Sequence, residues 1–212
     1  MGPDEEIIAR TGYKRIEESE AVAPGTDAEP PGTRDDPPWL GPPLRMVARP
    51  LPLAIVLTEE RDEPAIIATR FECYPSGFRF TLSLRRKIAA PSDAWFDAFE
   101  VLSSRAADPS SGGSIAGSLE FWMTFSDGSR VDSRGQLMPH RERPHPPTMV
   151  INGGQGGDAW QLEATYWVWP LPPPGSSRLG CAWRAEGIGS REVTFDTDRI
   201  REAANNVTIL WE

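Results

Sequence analysis

The chain has 212 residues, with 31 acids against 22 bases and a formal net charge of −9. A surface of that sign repels phosphate backbones, which argues against nucleic acid as a general partner. No apolar run approaches the ~18 residues of a membrane span, so no membrane partner is expected, and the length fits one domain plus a tail.

Residues 1–45 are predicted to be a disordered, acidic, proline-rich tail. Residues 1–43 hold ten acids, four bases and eight prolines but almost no aromatics, too little apolar surface to offset the entropy of ordering. A short patch from Ile7 to Ile16 mixes aliphatics with charge; it reads as incidental apolar residues in a flexible arm or as a motif that folds on a partner. The start, Met1-Gly2-Pro3-Asp4-Glu5-Glu6, lacks the basic and apolar regions of a secretory signal, so a cytoplasmic location is expected.

The folded domain is predicted to span residues 46–212. Leu51–Thr58 reads as a strand with Leu53, Ile55 and Leu57 on one face, confined to a start or an edge by Pro52. Ala65–Tyr74 and Phe78–Arg85 form a hairpin about Pro75-Ser76-Gly77. The second of these strands alternates apolar even residues with polar odd ones, so Arg79 and Arg85 belong to an outward basic face. Beyond Pro91 the period lengthens, and Ser92 or Asp93 is expected to cap a short helix carrying Trp95, Phe96, Phe99 and Leu102.

Residues 103–117 read as a loop. Ser118–Phe125 turns at Ser126-Asp127-Gly128-Ser129 into a second hairpin. Residues 134–158 look irregular apart from a possible short strand at Thr148–Ile151, with Gly153–Gly157 as a flexible connector. A long strand follows over Ala159–Trp169. Its even residues, beginning at Trp160, form an apolar face, while Trp167 and Trp169 fall on the side of Gln161, Glu163 and Thr165.

Pro170-Leu171-Pro172-Pro173-Pro174-Gly175 must end that strand, because proline has no N–H for a ladder, and is predicted to cross stiffly to another sheet. Strands at Arg178–Trp183 and Glu192–Phe195 precede a closing helix capped by Asp196 or Thr197. Ile200, Ala203 and Ala204 are its inner stripe, with Trp211 packed beyond it. Seven or eight short strands with one or two short helices define an all-β chain, an antiparallel β-sandwich.

Candidate sites are few. Trp122, Trp167 and Trp169 either form an exposed aromatic platform or are buried near a strand end, and Arg79 and Arg85 offer a basic face for an acidic ligand. His140 and His145 lie in a proline-rich loop, with Asp132 or Glu142 as the nearest further metal ligand; no metal or other cofactor is expected from this pattern. Gly153–Gly157 fits neither phosphate-binding fingerprint. Cys73 and Cys181 stand alone in strand patterns and read as buried thiols.

Gly153 to Trp211, with Trp-Val-Trp-Pro-Leu-Pro-Pro-Pro-Gly, Cys-Ala-Trp-Arg-Ala-Glu-Gly-Ile and a terminal Leu-Trp, resembles a family of uncharacterised actinobacterial proteins. The hairpin Arg70–Leu84 and Phe125-Ser126-Asp127-Gly128 resemble it too. The use of 20 arginines against two lysines agrees with a high-GC source, and the resemblance implies no activity. The functional expectation is a binding or interaction module for a protein or small ligand. Alternatives are a metal-dependent or other hydrolase using the His140/His145 loop, and a self-associating subunit.

Overall fold

The computed structural model describes residues 37–59, 64–88, 92–102, 119–132 and 143–211. The expected acidic tail lies outside these residues as far as 36. Residues 37–45 lie within them, and the indole of Trp39 packs edge-on to Trp169 with centroids 6.0 Å apart. Packed chain therefore begins ahead of the expected boundary, because Trp39 supplies apolar surface that the rest of that segment lacks.

In chain order, β1 (Met46–Val47), β2 (Arg49–Leu51) and β3 (Ile55–Val56) are short. The single strand expected over 51–58 is split at Pro52: the chain turns tightly there, with Leu53 N donating to Leu51 O. β4 (Ala65–Tyr74) and β5 (Gly77–Arg85) form the predicted hairpin, and α1 (Asp93–Leu102) follows. β6 (Leu119–Thr124) and β7 (Arg130–Asp132) form the second hairpin, turned at Asp127, whose carboxylate accepts the Ser129 amide.

β8 (Thr148–Gly157) corrects the sequence reading, since the expected connector Gly153–Gly157 lies within a strand, and Gln155 to Gly157 pair with β9 (Gln161–Trp169). The glycines offer no side-chain packing, but β9 supplies ladder partners, and the irregular register between Ile151 and Gln155 accommodates Gly153 at a φ of 144°. β10 (Ser176–Trp183), β11 (Ile188–Asp196), α2 (Asp198–Ala204) and β12 (Thr208–Ile209) complete the chain.

A large antiparallel sheet has the order β2-β4-β5-β9-β8, with β3 also on β4. A smaller one has the order β11-β10-β6-β7, and β1 and β12 form a separate ribbon. The two sheets face each other across one core as a sandwich. Phe71 and Phe80 stack at 5.7 Å, Phe80 and Tyr166 at 5.7 Å, and Tyr166 meets Phe121 of the smaller sheet edge-on at 4.9 Å. Burial drives the Tyr166 hydroxyl pKa upward, so it stays protonated.

A bulge decides which side chains β4 sends inward. Ile66 and Ala68 are buried before it, Phe71 and Cys73 after it, so the inward parity switches from even to odd. Arg70, at a φ of 53°, occupies the irregular register between Thr69 and Glu72. The switch places Glu72 and Tyr74 on the outer face.

α1 begins where Ser92 Oγ accepts the Trp95 amide, and buries Trp95, Ala98 and Leu102. Trp95 stacks on Trp183 at 6.1 Å and donates its indole N–H to Asp158 O. The Arg86 guanidinium lies 4.3 Å over its ring and pairs with Glu186.

The proline run is the predicted crossing, leaving β9 of the large sheet for β10 of the small one. Its carbonyls have no ladder, and side chains take them over. Arg201 donates to Pro172 O, Thr197 Oγ1 stands within hydrogen-bond distance of Pro173 O and Gly175 O, and Ser126 donates to Pro174 O. Thr197 precedes α2 without capping it by side chain, because its hydroxyl is engaged by the bridge. Ile200, Ala203 and Ala204 form the buried stripe of α2 as expected. Trp211 does not pack beyond the helix; it is 53% exposed.

Cys73 and Cys181 are buried and carry no disulfide, and burial, with the Glu72 charge adding, pushes the Cys73 thiol up to about 12. A thiol reagent should therefore leave both untouched in the native protein and react with two thiols once it is denatured; rapid reaction of the native protein would contradict this packing.

Asp127 and Asp158 hold turns by accepting backbone amides, Asp127 with the Ser129 hydroxyl besides and Asp158 from Trp160 and Gln161. These bonds lower both carboxyl pKa values. A folded pKa below the unfolded one means stabilisation present above roughly pH 4 and lost as pH falls through the folded values. NMR titration should place both carboxyls below the ordinary aspartate value, and an ordinary value would remove this contribution.

Candidate interaction surfaces

The outer face of the large sheet carries the predicted basic residues, each matched to an acid. Arg79, directly across from Glu72, donates to it from Nε at 2.8 Å. Arg85 lies 3.8 Å from Glu163, which also receives Ser83 Oγ at 2.7 Å and Arg70 at 3.4 Å. Thr81 and Thr165 share a hydrogen bond between them. This face is thus a mixed-charge ladder rather than a basic platform.

Of the two alternatives for the tryptophans, the structure has the buried one. Trp167 is fully covered and Trp169 is 6% exposed. With Tyr74 they form a second cluster outside the main core, flanked by Trp39, Met46, Ala48 and Val150. Tyr74 meets Trp167 edge-on at 5.6 Å, and Arg143 stands 5.1 Å over Trp169. Burial beneath this cover raises the Tyr74 pKa, with Arg79 opposing.

Trp122 belongs to a different surface, the outer face of the small sheet, so the three tryptophans do not form one platform. Its Nε1 donates to Glu192 at 2.8 Å, Arg130 lies 4.8 Å over its ring, and Glu192 pairs with Arg178 at 2.9 Å.

Both outward indoles lie over a glycine. A Cβ on Gly180, which is paired directly with Trp122, would stand 2.4 Å from that ring; one on Gly77 would stand 2.8 Å from the Trp167 ring. An aromatic ring laid over a bare cross-strand glycine covers backbone that no side chain protects. Each polar tip then has one fixed acceptor.

The exposed apolar side chains fall elsewhere. Among the described residues nine large hydrophobics are exposed, and five of them, Leu44, Val47, Ile209, Leu210 and Trp211, lie in or beside the β1–β12 ribbon. Arg45 O accepts the Leu210 amide, continuing the ribbon past its two paired residues. Sequence reading missed this surface, although the run Val207-Thr208-Ile209-Leu210-Trp211 carries a strand signal. Trp160, expected on the apolar face of β9, is 54% exposed because it sits in the Asp158 turn before that strand.

His145 is exposed, while His140 and Glu142 lie outside the described residues. Among the described residues no three His, Cys, Asp or Glu side chains are grouped to hold a metal ion, and no helix is long and apolar enough to cross a membrane. No family model, curated protein or solved structure matches the chain.

Gly180→Ala should lift the Trp122 indole off the sheet, costing roughly 1–3 kcal/mol of unfolding free energy and red-shifting tryptophan emission. In a Trp122→Ala background the same substitution should cost far less. Equal costs in both backgrounds would show that the notch does not hold the ring.

Proposed function

We propose that this chain is a protein-binding module that docks a partner through the ribbon of β1 and β12. The observation that carries the reading is the exposure of Leu44, Val47, Ile209, Leu210 and Trp211 in or beside one two-stranded element, with Val47 and Ile209, in successive pairs, presenting apolar side chains on its two faces. Clustered apolar exposure of this kind marks an interface, whereas single exposed apolar residues are ordinary. Tryptophan at such a surface adds large contact area with few rotamers to freeze.

The net charge of −9 favours a partner with a basic surface, and the acidic N-terminal residues extend that attraction. We place the partner among proteins rather than nucleic acids or lipids, and the setting in the cytoplasm. Catalysis is not part of this reading.

The test is reconstitution with a partner isolated from the native cell and purified. Ile209→Asp and Trp211→Asp should each weaken binding about tenfold or more, about 1.4 kcal/mol, while thermal unfolding changes little because both side chains are exposed. Unchanged affinity in both variants would sink the proposal. A mass that doubles with concentration in light scattering, and does so only with the native ribbon, would replace the partner with a second copy of the chain.

A further inference from the structure

The segment Pro37-Pro38-Trp39-Leu40-Gly41-Pro42-Pro43 is seated against the large sheet in a way that looks like a bound ligand. It forms a turn, with Leu40 N donating to Pro37 O. Its polar contacts with the sheet run through its carbonyls: Trp167 Nε1 donates to Pro38 O at 2.9 Å, and Asn152 Nδ2 donates to Leu40 O at 2.9 Å. Its one aromatic side chain rests edge-on against Trp169. Gly41 is pressed so close to Asn152 that a Cβ there would stand 2.5 Å from Nδ2.

The receiving side is built by the sheet itself. Trp167 is positioned by the Gly77 notch and by Tyr74, and Asn152 and Trp169 project from the paired strands β8 and β9. Indole and amide donors aimed at carbonyls, beside aromatic rings, are the chemistry by which proline-rich segments are recognised, because such segments offer acceptors but few amide donors. Those contacts are properties of any peptide with the same backbone and one aromatic side chain.

Two observations mark the present occupant as replaceable. The Trp39 indole N–H is buried with no hydrogen-bond partner, an imperfect match that a different aromatic residue would avoid. The segment is continued by β1, only two residues long and paired to an equally short β12.

We propose that Tyr74, Asn152, Trp167 and Trp169 form a recognition groove for a proline-flanked aromatic segment of a partner protein, with Pro37–Pro43 as the built-in competitor. The chain's own segment holds the groove until a better-matched one displaces it. This goes beyond the ribbon interface and stands on different side chains.

The test uses the full chain and a fluorescently labelled peptide of sequence Pro-Pro-Trp-Leu-Gly-Pro-Pro, followed by anisotropy. Trp39→Ala weakens the internal competitor, so it should bind the peptide about tenfold or more tightly than the native chain. Adding Trp167→Phe, which keeps an aromatic ring but removes the donor, should weaken that binding by about the same factor. Gly41→Val, whose side chain collides with the Asn152 amide and so disturbs its bond to Leu40 O, serves as the second opening variant should Trp39→Ala unfold.

A cooperatively folded opened variant that does not bind the peptide would overturn the proposal, as would binding unaffected by Trp167→Phe or equal in the native and opened chains. A dimer of the native chain that dissociates on adding excess peptide would assign the groove to a second copy and overturn the partner assignment. Ile209→Asp should leave peptide binding by the opened chain unchanged, which separates failure here from failure of the ribbon interface.

Discussion

Burial of β9 on both of its faces is the constraint on which the rest of this structure depends. Leu162, Ala164, Tyr166 and Val168 point between the sheets, and Trp167 and Trp169 point out of the sandwich yet are still covered. A strand paired on both edges, to β5 and β8, and buried on both faces has nowhere to shift without exposing large rings. Everything attached to it is positioned in consequence: the aromatic row from Phe71 to Phe121 through Tyr166, the strap formed by Pro37–Pro43 over Trp167 and Trp169, and the proline bridge that starts where the strand ends.

The bridge and the strap obey one rule. Proline-rich chain cannot satisfy its carbonyls in a ladder, so side-chain donors must come to it. Arg201, Thr197 and Ser126 do so for Pro172 to Gly175, and Trp167 and Asn152 do so for Pro38 and Leu40. α2 therefore serves the fold as much through Thr197 and Arg201 as through its buried stripe. Opposite in character is the β1–β12 ribbon, where apolar side chains remain exposed and nothing in the described chain covers them.

The sequence was most legible where a single local rule acts. Alternation located β5 to within one residue, Asp127 and Gly128 marked a hairpin, Ser92 marked the start of α1, and the proline run marked the crossing between sheets. It was least legible where a neighbouring strand overruled local preference. Gly153–Gly157 has weak strand propensity yet lies in β8, because the ladder with β9 resumes at Gln155 and runs to Gly157. Trp160 and Trp211 carry apolar signals yet are exposed, because a ring's burial is decided by what packs over it, which no local pattern states.

Of the candidate residues, Arg79 and Arg85 were rightly read as facing outward, but their acids, Glu72 and Glu163, come from other strands. What the sequence by itself determined was the two hairpins, both helices, the proline crossing, the all-β class and the apolar face of β9, since these follow from spacing and from the backbone chemistry of proline and glycine. Only the tertiary structure decided that a bulge at Arg70 turns Tyr74 outward, that Gly77 and Gly180 make room for Trp167 and Trp122, and that Trp39 packs against Trp169 on the large sheet. Each of those depends on which strands become neighbours, and that choice is made by burying the whole core at once.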